Sequence, residues 1–138
     1  MAHVRPKRFE YTATVDRDGR VSADHEPPAP LPAELSPEHL VLAGLGRCTL
    51  ASLSYHARRA SLETAGAASA WGVVTTREED GRYAFVEIAC RLDVELEPLP
   101  GEEQLAGLLA KAERDCFVGA SLRVPPGYEW RVHEREVE

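Results

Sequence analysis

The sequence has no excess of positive charge and no long apolar run. Sixteen Lys and Arg against 23 Asp and Glu leave a formal net charge of −7. Nucleic acid and anionic membrane surfaces are therefore not expected as partners, since both would repel the chain. No segment approaches the roughly 20 apolar residues of a membrane span, and the first residues lack the apolar core of a secretory signal. These absences predict a cytoplasmic protein.

Cysteine is also scarce, with only Cys48, Cys90 and Cys116, which are widely spaced. An odd number of distant cysteines in a chain long enough to build a core does not indicate a disulfide framework. The paired spacing of zinc ligands is missing too, so we expect no metal. The length of 138 residues predicts a single domain spanning 1–138. Its core is small enough that a homo-oligomer could bury more apolar surface.

The periodicity of apolar and polar residues predicts an α+β chain of seven elements. In order, these are strands at 8–15 and 20–23, a helix at 38–59, strands at 71–76 and 82–96, a helix at 102–115 and a strand near 128–132. The start of the first helix is indicated by Ser36, Pro37 and Glu38, which supply a capping hydroxyl, a fixed φ and an acid in the positive first turn. Because this helix is apolar on most sides, we expect it to be central, within the domain or between subunits.

Cys48 is the candidate nucleophile of this helix. At the usual pKa of about 8.5 only a few per cent of a thiol is ionised near neutrality, so a reactive Cys48 needs a neighbouring cation. Arg17 and Arg20 from the first hairpin and the adjacent Arg47 are candidates. Arg47 is less well placed, because successive residues on a helix point about 100° apart. The alternative is that Cys48 is a small core residue among alanines and glycines.

The other two cysteines have different surroundings. Cys116 directly follows the second long helix, where free carbonyls disfavour a thiolate. If Cys116 instead caps the short segment 117–122, its sulfur gains amide donors. Cys90 lies in an apolar strand, where the neighbouring Arg91 points to the opposite face, so we expect Cys90 in the core.

Three segments, taken with their order and spacing, resemble one known family. They are SPEHL at 36–40, AGLGRC at 43–48 and AERDC at 112–116, and they resemble the OsmC/Ohr family of osmotically inducible and organic hydroperoxide resistance proteins. The resemblance implies an OsmC-like fold, in which long central helices of an intertwined homodimer are flanked by antiparallel sheets. It also implies a thiol peroxidase that reduces organic hydroperoxides without metal, haem or flavin.

The resemblance also assigns roles. Cys48 matches the peroxidatic cysteine, Cys116 the resolving cysteine, Glu38 the family's acid and Arg17 its arginine; Arg17 is preferred to Arg20 because it precedes Asp-Gly, as in the family. The implied mechanism forms a sulfenic acid at Cys48 and then a disulfide with Cys116, which an external dithiol reduces; lipoylated proteins serve in one branch of the family. The alternative is a non-enzymatic protein of the same fold that binds an apolar small molecule or senses redox state through its thiols.

Helix geometry limits how such a site is built. Glu38 and Cys48 are ten positions apart, which is about 15 Å along one helix axis, too far for both to meet one guanidinium bound to the sulfur. Either the helix breaks near Gly44 or Gly46, or Glu38 and Arg17 reach Cys48 across a dimer interface. The small residues of the helix favour the interface, because they let helices approach closely.

Overall fold

The computed structural model describes residues 6–134, which form two compact units divided between Ser36 and Pro37. The elements are β1 (Ala13–Val15), β2 (Val21–Ala23), α1 (Pro37–Arg59), β3 (Glu63–Thr76), β4 (Tyr83–Glu97), α2 (Glu102–Arg114), α3 (Phe117–Ser121) and β5 (Gly127–Glu134). The α+β class and the order of the predicted elements are confirmed, with α3 as an additional short helix. The single domain over 1–138 stays a prediction.

The first unit contains a short hairpin. Strands β1 and β2 pair antiparallel over three residue pairs, and the carboxylate of Asp16 accepts hydrogen bonds from the N–H groups of Asp18 and Arg20, both at 2.9 Å. The strand predicted over 8–15 begins only at Ala13, and its exposed side chains correct the half-buried pattern expected. Next to this pairing, the N–H of Asp24 donates to the carbonyl oxygen of Thr12 at 2.6 Å, and Asp24 adopts a positive φ of 51°.

The second unit begins with α1, which is unbroken from Pro37 to Arg59. The predicted alternative of a break near Gly44 or Gly46 is therefore wrong. At Gly46 an added Cβ would lie 3.2 Å from the Cβ of Ala68, so the missing side chain allows α1 to approach β3. Within the described residues, none of the helices combines the length and apolarity needed to cross a bilayer.

Strands β3, β4 and β5 form one sheet with β4 in the middle. Strand β3 pairs antiparallel with β4 from Glu63 onward, whereas the sequence pattern predicts a strand only from Trp71. The segment before Trp71 is rich in alanine and glycine, which have low strand propensity, but pairing with β4 overrides that preference. Strand β5 runs parallel to β4, so the sheet is mixed, and α2 and α3 form the crossover that a parallel pair requires.

The core of this unit lies between the sheet and the helices. Alternate residues of β4 face the helices, and Leu92, Val94 and Leu96 are fully buried, as the period of two in a strand dictates. From the helices, α1 contributes Leu45 and Leu53 to the same cluster. This packing fixes α1 against the sheet, and with it the position of every side chain on the inner face of α1.

Two glycines provide a test of the packing. At Gly66 an added Cβ would lie 2.6 Å from the carbonyl oxygen of Asp93, so we expect Gly66→Ala to reduce the free energy of unfolding by roughly 1–3 kcal/mol. Gly107, inside α2, has nothing within 4 Å of that position, and Gly107→Ala should raise the free energy of unfolding by about 0.5–1 kcal/mol. Urea denaturation of both variants checks this, and equal stabilities would contradict the close approach of β3 and β4.

Candidate functional site

Two thiols lie together beside the first turn of α3. The N–H of Val118 donates to Sγ of Cys48 at 3.5 Å, and the N–H of Gly119 donates to Sγ of Cys116 at 3.4 Å. The two thiols are also close enough for Cys116 to act on the pKa of Cys48. Successive amides of one turn thus point at two neighbouring sulfur atoms, and all three cysteines of the chain are free thiols.

The contact depends on the position and burial of each cysteine. Cys48 is half-buried in the middle of α1. Cys116 is fully buried and is the N-cap of α3, with its sulfur accepting the N–H of Gly119. Of the two positions considered for Cys116, the structure shows the one with amide donors. An added Cβ at Gly119 would lie 2.6 Å from the hydroxyl oxygen of Tyr128, so a side chain there would displace Tyr128.

The surroundings of Cys48 favour its neutral form. Burial raises the pKa of the Cys48 thiol above its ordinary value, and the adjacent Cys116 raises it further. The N–H groups of Val118 and Phe117 act in the opposite direction, without cancelling the increase. A thiolate at Cys48 near neutral pH therefore needs a further positive group.

Two hydroxyl groups beside Cys116 were missed by the sequence reasoning. The Thr49 hydroxyl donates to the carbonyl oxygen of Leu45 at 2.8 Å and contacts Sγ of Cys116 at 3.5 Å. The second is the Tyr128 hydroxyl: burial, the largest cause, raises the pKa of Tyr128 to about 12, and Thr49 acts in the opposite direction. The sequence offered one signal for Thr49: it is a polar residue directly after Cys48 in a largely apolar helix. Cys90 is 1% exposed and belongs to the core, as expected.

The predicted arginines belong to the first unit, and the predicted glutamate lies at the start of α1. Arg17 and Arg20 are in the turn of the first unit, where Nε of Arg20 lies 2.8 Å from a carboxylate oxygen of Asp16. In residues 6–134 the structure records no hydrogen bond or ion pair for the exposed Arg17. Glu38 is exposed in the first turn of α1. Because α1 is unbroken, Glu38 and Cys48 of one protomer are about 15 Å apart along the axis.

A carboxylate anchors the segment that carries Cys116. Asp115 accepts two hydrogen bonds from Arg114, at 2.9 and 3.0 Å, and lies 2.8 Å from Nε2 of His56 on α1. The Arg114 guanidinium lowers the pKa of Asp115 most, burial opposes it and His56 lowers it again, to about 2. The contact between His56 and Asp115 joins α1 to the residue immediately before Cys116.

The part of the chain that the structure describes contains no group of three His, Cys, Asp or Glu side chains arranged to hold a metal ion. One surface depression, of about 450 Å³, lies over the sheet and is lined by Trp71, Ala89 and Gly127 among others. A second, of about 400 Å³, lies near the end of α1 and is lined by His56, Arg59 and Lys111 among others. Neither depression is lined by Cys48.

Comparisons with known proteins support the fold. The family model described as OsmC-like protein matches residues 30–130. The crystal structure of an OsmC-like protein from Mycoplasma pneumoniae gives a TM-score of 0.67 at 17% identity, covering 93% of this chain and 99% of that one. The organic hydroperoxide resistance protein OhrB of Bacillus subtilis gives a TM-score of 0.55 at 20% identity, covering 90% and 96%.

A further structure, of an organic hydroperoxide resistance protein from Elizabethkingia anophelis, gives a TM-score of 0.60 at 21% identity and covers 95% of this chain and 100% of that one. A comparison with curated proteins found no match. At these identities the likeness to solved structures shows the fold alone. The OsmC-like fold expected from the sequence is confirmed, and the homodimer stays a prediction.

The ion pair beside Cys116 predicts a pH dependence of stability. Folding lowers the pKa of the Asp115 carboxyl from 3.8 to about 2. The ionised carboxylate therefore stabilises the folded state at pH values above 3.8, the pKa in the unfolded chain, and this contribution is lost as the pH falls through about 2. We expect Asp115→Asn to lower the melting temperature near pH 6, and the difference from wild type to shrink towards about pH 2. Thermal melts followed by circular dichroism test this, with Asp18→Asn in the exposed hairpin turn as control; a difference independent of pH would contradict the assignment.

Proposed function

Because this chain belongs to the OsmC-like protein family, we propose that it is a thiol-dependent peroxidase that reduces organic hydroperoxides to alcohols. Cys48 is the peroxidatic cysteine and Cys116 the resolving cysteine. The observation that supports this most directly is the contact between the two thiols at the first turn of α3. Two of the structural neighbours are organic hydroperoxide resistance proteins by name.

The reaction needs two sulfur atoms in sequence. The Cys48 thiolate attacks one peroxide oxygen, the O–O bond breaks, and the alcohol leaves with a proton while Cys48 becomes a sulfenic acid. The sulfur of Cys116 then attacks the sulfur of Cys48, so that a disulfide forms and water leaves. An external dithiol supplies the two electrons and two protons that restore both thiols. A lipoylated protein is one candidate for that dithiol, and we place the reaction in the cytoplasm, where thiols are kept reduced.

The amides of α3 suit both steps. The N–H of Val118 points at the sulfur that attacks the peroxide, and the N–H of Gly119 points at the sulfur that forms the disulfide. Hydrogen bonds from N–H groups to an anion are stronger than those to a neutral group, so each amide favours the thiolate over the thiol. Because Cys116 is fully buried, its sulfur reacts with its neighbour rather than with peroxide from solution.

A second copy of the chain completes the site in this proposal. The partner subunit's Arg17 lies beside Cys48, and the partner subunit's Glu38 fixes the guanidinium through a bidentate pair. A guanidinium there opposes the effect of burial on the pKa of Cys48. The unbroken α1 supports this arrangement, because it keeps Glu38 and Cys48 of one protomer apart.

Exposed apolar side chains support a homodimer. On α1, Leu40, Val41 and Tyr55 are 41%, 38% and 53% exposed, and in the first unit Tyr11 and Val15 are 75% and 71% exposed. Large apolar side chains left exposed along a helix and near a hairpin suit surfaces that another protein covers. A second copy of the chain would bury them.

One observation favours a second function. The raised pKa of the Cys48 thiol suits an unreactive cysteine, as in a protein of this fold that only binds an apolar small molecule, because oxidation by peroxide needs the thiolate. A sensor and a peroxidase both oxidise Cys48, but only a peroxidase consumes many equivalents of peroxide when a dithiol is present. A member of this fold that only binds an apolar small molecule would oxidise neither thiol at a stoichiometric peroxide concentration.

Cysteine variants distinguish these functions. With one equivalent of cumene hydroperoxide and no reductant, we expect wild type to lose two of its three thiols, because the disulfide joins Cys48 and Cys116. Cys90→Ser is the matched control and should lose two as well. Cys116→Ser should stop at a sulfenic acid, and Cys48→Ser should not react. Thiol titration and mass spectrometry measure these outcomes.

The turnover experiment follows with excess dithiothreitol. A peroxidase consumes many equivalents of cumene hydroperoxide in wild type and in Cys90→Ser, and none above background in Cys48→Ser. Turnover that survives in Cys48→Ser would overturn the proposal. Wild-type consumption that ends after one equivalent despite excess dithiol would indicate the sensor instead.

The two hairpin arginines provide a matched pair of variants. Arg17→Ala should reduce kcat/KM for cumene hydroperoxide roughly 100-fold or more, because the Cys48 thiolate loses the cation that stabilises it. Arg20→Ala makes the same charge change two positions away and should leave kcat/KM near wild type, since Arg20 is paired with Asp16 and such exposed pairs contribute little. A larger loss in Arg20→Ala would reverse the assignment of the arginine.

Mixed dimers test which subunit supplies the arginine. A dimer of one Cys48→Ser chain and one Arg17→Ala chain contains one intact site only if Arg17 acts across the interface. We therefore expect mixing the two inactive variants to restore up to about half of the activity per mixed dimer, because one of two equivalent sites is complete. Activity that stays at the level of the separate variants would place Arg17 in the same subunit as Cys48.

A further inference from the structure

Cys116 has to lose a proton at a place that water does not reach. Its side chain is 0% exposed, and a buried thiolate without hydrogen bonds is strongly disfavoured. The Gly119 N–H supplies one donor to the sulfur, at 3.4 Å. A single neutral donor replaces only part of the hydration that a thiolate has in water, so the resolving step needs a second donor.

The Thr49 hydroxyl is placed to be that donor. Thr49 is 0% exposed and follows Cys48 on α1. Its oxygen lies 2.8 Å from the carbonyl oxygen of Leu45 and 3.5 Å from Sγ of Cys116. A hydroxyl has one proton and two lone pairs, so it can donate to only one of these two acceptors at a time.

The two acceptors therefore define two states of one hydroxyl. When Cys116 is a thiol, Thr49 donates to the Leu45 carbonyl and its oxygen can accept the S–H of Cys116. When Cys116 loses its proton, rotation about the Cβ–Oγ1 bond turns the Thr49 proton to the sulfur, where the hydrogen bond to an anion is the stronger one. No backbone movement is needed for this exchange.

We propose that Thr49 is a catalytic residue of the resolving step, an inference that rests on the proposed peroxidase. Its hydroxyl stabilises the Cys116 thiolate as the S–S bond forms and the S–O bond of the Cys48 sulfenic acid breaks. The proton from Cys116 leaves with the displaced hydroxide as water, and Thr49 gains and loses no proton overall. Reduction of the disulfide by the external dithiol returns the hydroxyl to Leu45.

Tyr128 is a positioning residue for this hydroxyl. Its own hydroxyl occupies the space that a side chain at Gly119 would need, beside Sγ of Cys116, and Thr49 acts on the pKa of Tyr128. In the proposed scheme a hydrogen bond from Tyr128 to Thr49 polarises the Thr49 hydroxyl towards the sulfur, since linked hydrogen bonds strengthen one another. Tyr128 thus acts through Thr49 and does not touch the reacting sulfur atoms in this scheme.

Thr49→Val tests the role, because valine keeps the branched shape and removes the hydroxyl. One equivalent of cumene hydroperoxide is added without reductant, sulfenic acid is trapped with dimedone, and disulfide is followed by mass spectrometry of quenched samples. We expect sulfenic acid at Cys48 to form at the wild-type rate, and the disulfide with Cys116 to form about 10- to 100-fold more slowly, as loss of one hydrogen bond to a charged group implies.

Thr49→Ser is the matched control, since serine retains the hydroxyl and removes only the methyl group. Its disulfide should form near the wild-type rate, and the apparent pKa of disulfide formation should rise in Thr49→Val but not in Thr49→Ser. Tyr128→Phe should slow disulfide formation less than Thr49→Val. Circular dichroism of each variant confirms the fold.

Each contrary result has a distinct meaning. A Thr49→Val protein that forms the disulfide at the wild-type rate overturns the role of the hydroxyl. Equal slowing in Thr49→Val and Thr49→Ser overturns it too, since packing of the methyl group would then be the cause. A wild-type protein in which peroxide forms no sulfenic acid at Cys48 overturns the peroxidase itself and, with it, this inference.

Discussion

The contact between two thiols and two successive amides of α3 is the interaction on which the rest of the site depends. The N–H groups of Val118 and Gly119 hold the sulfurs of Cys48 and Cys116 from one side. The chain reaches this geometry because α2 ends at Arg114 and α3 begins at Phe117, which leaves Cys116 as the N-cap of α3. The same junction is joined to α1 through Asp115 and His56, so both thiols are held by one packed framework.

Burial and charge act against each other at Cys48. The packing that brings the two sulfurs together also raises the pKa of the Cys48 thiol, which opposes the anion that a peroxidase needs. In the proposed homodimer a guanidinium from the second subunit reverses that balance, and this couples reactivity to assembly. An isolated protomer would keep its thiol neutral and less prone to unwanted oxidation.

The sequence was informative where structure is set by neighbouring residues. Ser36, Pro37 and Glu38 predicted the start of α1 correctly, because a capping residue and an N-terminal proline act within one turn. The early start of β3 at Glu63 and the parallel placement of β5 were not predicted, because both depend on pairing with β4, whose effect overrides local propensity.

The residues of the candidate site were likewise predictable only in part. The cysteines could be found from their residue type and from family resemblance, whereas their contact with each other came only from the structure. Thr49 and Tyr128 could not be assigned to Cys116 from the sequence, since they come from separate elements that meet through packing. The roles of Arg17 and Glu38 rest on the resemblance and on the unbroken α1, not on a local pattern.

The parallel pairing of β4 with β5 has a consequence for how the molecule matures. Cys116 lies on the crossover between these two strands and Cys48 lies far earlier, on α1, so the thiol pair closes only when a long-range contact has formed, which is a slow kind of folding event. A newly made chain carries Cys48 on its helix well before the second sulfur arrives. The closeness of the two sulfurs is therefore a natural marker of folded molecules, and a crosslinking reagent that spans both thiols would count folded copies in a mixed population.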